Sequence, residues 1–85
     1  MRLILSLALI LATAAPVLAE SCRERIVFVR RVIDRDLSTG FIGKDVHAKM
    51  MADLDAAMTA CQAGMDAKAQ LLISSTQSRH GYPVR

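Results

Sequence analysis

Cys22 and Cys61 are the only two cysteines of the chain, and His47, Met50 and Met51 stand together between them. Those five side chains bound the chemistry on offer. Two cysteines can exchange electrons, bind a soft metal or form a structural bridge. A redox-active pair is usually C-x-x-C, with its thiolate stabilised by a helix N-terminus. Here the partners are far apart in sequence, so the expected role is a structural disulfide. Imidazole and thioether groups can hold copper in an oxidising compartment, which makes His47, Met50 and Met51 an alternative soft-metal set. However, Met51, Met58 and Met65 recur every seven residues. That is core spacing on a helix, where Met commonly fills gaps. His80, the other histidine, lies near the end of the chain.

Hydrolytic chemistry has no platform. There is no G-x-S-x-G, no H-E-x-x-H and no Gly-rich phosphate loop. Asp34 and Asp36 are two apart, as are Asp53 and Asp55. On a helix that spacing turns each pair about 200° apart. Asp45 and His47 share the same spacing and therefore point to different faces. No catalytic residue, cofactor or enzymatic activity is expected.

The elements that position these side chains follow an export signal. Arg2 is a positive start, Leu3 to Ala15 is apolar apart from Ser6 and Thr13, and Val17-Leu18-Ala19 offers a cleavage site. The thirteen residues of that run would span only about 20 Å as a helix, whereas a membrane crossing needs about 20 residues. Cleavage after Ala19 is the expectation. Glu20 and Ser21 before Cys22 argue against a lipid anchor. The expected destination is the periplasm or the exterior, where disulfides persist.

Removing 19 of 85 residues leaves 66, numbered 20–85, in one small domain. Losing Arg2 leaves 11 − 1 = 10 basic residues against 8 acidic ones, a net charge of +2. That balance is too mild to argue for nucleic acid or for an anionic membrane surface. The five arginines of residues 23–35 alternate with Glu24 and Asp34, which reads as a solvated, ion-paired helix face. A chain this small buries only about 60% of its unfolded surface and gains from a covalent staple.

Helical periodicity then predicts an all-α fold. Ser21 and Glu24 form a capping-box pair at the start of a helix over 21–37. Cys22, Ile26, Val29, Ile33 and Leu37 share one face, and Val27, Phe28 and Val32 widen it. Gly40 suits the left-handed position that ends helices. Phe41 and Ile42 are expected to plug the end of the core. A second helix over 44–62 starts near Asp45 and carries Val46, Met50, Leu54, Ala57 or Met58, and Cys61. Gly64 reads as a break, with Asp66 as N-cap of a short third helix over 66–79 carrying Ala69, Leu72, Ile73 and Thr76. Residues 80–85 read as an end cap and a short tail, with His80 near the third helix's negative end.

In an antiparallel hairpin, facing residue numbers add to a constant. Setting that constant with Cys22 and Cys61 places Ile26 opposite Ala57, Val29 opposite Leu54, Ile33 opposite Met50 and Leu37 opposite Val46. Every rung is apolar, and the midpoint falls between Phe41 and Ile42. Hairpin and disulfide therefore predict one another.

Residues 61–69 have a G-x4-A spacing that resembles the turn inside a tetratricopeptide unit. Asp53 and Ala60 stand where that family carries aromatics, and there is no second copy. The resemblance implies helix–turn–helix packing and nothing about activity.

The expected function is that of a small exported, non-catalytic accessory or protein-binding protein. Its partner would be another protein or a second copy, with no nucleic acid and no membrane after signal cleavage. The contact would use the wide apolar arc of the first helix or the Tyr82-Pro83-Val84 tail, unless the third helix covers the arc and the tail frays. The alternatives are copper binding through His47, Met50 and Met51, and a stress chaperone. Periplasmic acid-stress chaperones share the plan of an exported helical chain with one disulfide.

Overall fold

The computed structural model describes residues 21–84; the expected leader and its cleavage site lie outside them. Among the described residues three helices follow one another: α1 (Cys22–Ser38), α2 (Lys44–Gln62) and α3 (Asp66–Arg79). Helix α1 starts one residue later than the pattern suggests, because Ser21 is the cap itself. Its backbone is extended, its hydroxyl accepts from the Glu24 amide, and the Glu24 carboxylate accepts from the Ser21 amide. Losing such a cap typically costs about 1 kcal/mol.

All three helices stop in the same way. Gly40, Gly64 and Gly81 take positive φ, and the residue after each donates its amide back over the last turn. Phe41 bonds to the Asp36 carbonyl, Met65 to that of Ala60 and Tyr82 to that of Gln77. This is the Schellman arrangement, which satisfies the orphan carbonyls at a helix end. It also explains a departure at α3. Met65 closes α2 and at once serves as N-cap of α3, without a side-chain cap bond. Asp66 is therefore the first helical residue rather than the cap. Its charge still complements the helix dipole from there.

The hairpin is antiparallel, with Cys22 and Cys61 bonded at its open end and their Cα atoms 6.0 Å apart. Ile26, Val29 and Ile33 of α1 pack with Met50, Leu54 and Ala57 of α2, and Ile73 of α3 completes this core. The register has two polar markers. Arg30 pairs with Asp55, and Asp34 with His47, both along one edge of the apolar rungs. Around the disulfide a second cluster joins Cys22, Ala60 and Ala69, whose small side chains let α2 and α3 meet closely.

Three further expectations fail in detail. Phe41 is 77% exposed and only Ile42 packs against the core, so the turn is plugged by one residue. The arginines of α1 do not form one solvated, paired face: Arg25 is buried. The tail does not fray, because Tyr82 packs against the core and donates its phenol hydrogen to Asp36 at 2.6 Å. Among the described residues no helix is long and apolar enough to cross a membrane.

Candidate functional site

The residues that sequence reasoning singled out for chemistry are engaged in structure. Both sulfurs are held in the disulfide. The Asp66 carboxylate lies within 4.8 Å of them. Bonded sulfurs offer no thiolate, which is the form that binds metals. Met50 is fully buried in the apolar core, and Met51 packs at its edge. His47 directs Nε2 to Asp34 Oδ1 at 2.7 Å. The two potential ligands His47 and Met50 thus serve the hairpin's polar edge and its apolar interior.

The aspartates also have structural partners. Asp34 and Asp55 bridge α1 and α2. Asp53 of α2 accepts from the buried Thr76 hydroxyl at 2.8 Å and from Arg79 at 3.0 Å, both on α3. Asp36 holds the tail through Tyr82. Burial pushes the Tyr82 phenol up to about 12, and the hydrogen bond to Asp36 and that residue's negative charge push the same way. Each of these four carboxylates serves a tie between elements.

Concavity instead appears on the outer side of α1. Helix α3 packs more extensively on α2 than on α1, so part of the apolar arc stays open. Phe28 is 46% exposed, and it forms with Val32 a ridge along α1. On one flank of the ridge lies a hollow of about 160 Å³, walled by Val29, Gln77, Tyr82 and Pro83. On the other flank lie Arg31 and Arg35. The tail forms a firm wall: the Tyr82 amide donates to the Gln77 carbonyl at 2.8 Å, and Gln77 Nε2 donates to the Pro83 carbonyl at 3.3 Å. Gly81 permits this return, since its φ of +81° is the left-handed conformation that a Cβ disfavours. The arc and the tail, separate possibilities in the sequence, are brought together into one site.

Behind the hollow sits Arg25. Its guanidinium donates to the amide oxygens of Gln70 and Gln77, the latter at 2.8 Å. Neither acceptor is charged, and among the described residues no carboxylate pairs with Arg25. The hydrogen bonds offset desolvation while leaving the positive charge uncompensated. Sequence reading passed over this group, since Arg25, Gln70 and Gln77 lie on helices whose relation only packing defines. The single signal was positional: Arg25 falls beside Ile26 and Val29 on the widened arc.

A broader, shallower groove runs between α2 and α3 past Ala56, Ala60, Ala63, Met65 and Lys68. It lacks the aromatic walls and the charge pattern of the α1 site. Comparison with known protein families, curated proteins and solved structures finds no match to this chain.

Proposed function

We propose that the protein is a small exported binding protein without catalytic activity, which presents the Phe28–Val32 ridge and the docked tail to a protein partner. One observation carries the reading. A half-exposed aromatic ridge adjoins an apolar hollow on a domain that has few large apolar side chains to bury. Exposed apolar area that adjoins a formed concavity is characteristic of contact surfaces. The disulfide is compatible with an oxidising compartment, and the leader-like start of the sequence supports export to the periplasm or beyond.

The test places a photo-crosslinking phenylalanine analogue at Phe28 in the full chain, and separately at Leu71, an exposed apolar residue of α3 that lines none of the concavities described. The chain is expressed with its own leader in its native host. A discrete adduct from position 28 and none from position 71 is the expected result. Adducts from position 71 alone would move the contact surface elsewhere, and no adduct from either would remove the binding reading.

A second reading, a stress chaperone that opens in acid, is favoured by a different observation. Asp34, Asp36, Asp53 and Asp55 each tie one element to another. The helices and the tail are thus joined to one another through carboxylates. A dye that fluoresces on apolar surface should respond as pH falls to about 2, and a flat response would exclude this reading. Copper binding through His47, Met50 and Met51 would require Met50 to leave the core.

A further inference from the structure

We infer that the partner of the α1 site is an acidic peptide segment, carrying one apolar side chain up to the size of Phe flanked by carboxylates. The inference rests on the binding reading above and specifies its chemistry.

Size comes first. A hollow of about 160 Å³ compares with the cavity of about 150 Å³ that accommodates a benzene molecule. It takes one Leu, Met or Phe side chain. Charge comes second. Arg31 and Arg35 border the Phe28–Val32 ridge and make no ion pair among the described residues. Arg25 adds an uncompensated charge behind Gln77, one of the hollow's walls. The acids of α1 offset this only in part. Glu24 caps its own helix, Asp34 is taken up by His47, and Asp36 keeps one negative charge beside Tyr82, against the three positive charges of Arg25, Arg31 and Arg35. The site is thus an apolar slot beside guanidinium groups, and guanidinium recognises carboxylate with paired hydrogen bonds.

Two other occupants fit less well. A second copy docked on the same face would set Arg31 and Arg35 against their own equivalents, and like charges across an interface are unfavourable. A membrane surface calls for a continuous apolar face with many cations around it. Here the apolar feature is a slot for one side chain.

The experiment selects displayed random peptides on the disulfide-intact protein. Clones that also bind a Phe28→Asp variant are discarded. Phe28 is half exposed, so that variant should fold, and circular dichroism checks it. The expected clones carry Leu, Met or Phe with Asp or Glu on both sides. The best synthetic peptide should lose affinity on the order of fivefold or more to an Arg31→Glu, Arg35→Glu double variant. The same peptide with Lys for its acids should instead prefer that double variant.

Other outcomes overturn the inference in distinguishable ways. Apolar clones without acidic flanks would refute the charge argument and leave the Phe28 site standing. No clone specific for the unaltered protein would remove both. Binding to phosphatidylglycerol vesicles with no selected peptide would assign the face to a membrane. A sedimenting dimer that Phe28→Asp dissociates would assign it to a second copy.

Discussion

Tyr82 is the only tyrosine in the chain, so its ionisation can be followed alone. The perturbation is a rapid pH jump, read at 295 nm, where tyrosinate absorbs. In the folded protein the phenol is pushed from its ordinary value of 10.0 to about 12, chiefly by burial and then by the hydrogen bond and charge of Asp36. A shift of this size means that the folded state resists losing the proton on the order of a hundredfold more than the unfolded chain. The sign follows. The folded pKa lies above the unfolded one, so the contribution to stability is complete below pH 10.0 and is lost as pH rises to about 12. Unfolding in urea should bring the midpoint back to the ordinary value. Asp36→Asn should lower the folded midpoint only part of the way, because burial remains. Tyr82→Phe loses the hydrogen bond and should cost about 1 kcal/mol, with the partial exposure of the pair keeping the figure modest. A folded-state midpoint near 10, unmoved by Asp36→Asn, would refute the docking of the tail and remove one wall of the proposed site.

Other perturbations probe the frame around that site. Replacing both Cys22 and Cys61 by Ala opens a loop of 39 residues' separation, which should cost roughly 4 kcal/mol in urea unfolding followed by circular dichroism. A loss under about 1 kcal/mol would mean that the hairpin does not depend on its staple. Arg25→Met removes a buried charge that has no carboxylate partner and should change stability by about 1 kcal/mol or less. Gln77→Leu removes one of the guanidinium's two acceptors, leaving Gln70, and should cost about 2 kcal/mol. The reverse order would show that Arg25 is not held as described. Gly64→Ala puts a Cβ on a residue at φ +78° with open space around it, so thermal unfolding should report backbone strain alone, about 1 kcal/mol. A neutral effect would argue that α2 runs straight into α3.

The helices and their pairing were legible because local rules and one long-range link agreed. The Ser21–Glu24 box, the glycines at 40 and 64 and the spacing of Ile26, Val29 and Ile33 each act within a few residues. The cysteines added a distant contact and with it a register. Phe41 was misjudged because composition marks a residue as apolar without saying which way a turn directs it. Two adjacent apolar residues follow Gly40, and only Ile42 reaches the core. Arg25 was misjudged for a similar reason, since burial of a charge depends on what lies opposite, and here that is Gln70 and Gln77.

The amino-acid sequence by itself thus determined the three helices of the described residues, their limits to within a residue, the apolar rungs of the hairpin and the covalent closure of its open end. These follow from helical periodicity and from chain entropy, which act along the chain. Only the tertiary structure decided where α3 lies, that it leaves Phe28 half exposed, and that Gly81 returns Tyr82 to Asp36. Those features depend on the packing of three amphipathic surfaces that could meet in several ways. The choice among them is made by side-chain volumes and polar partners distant in sequence.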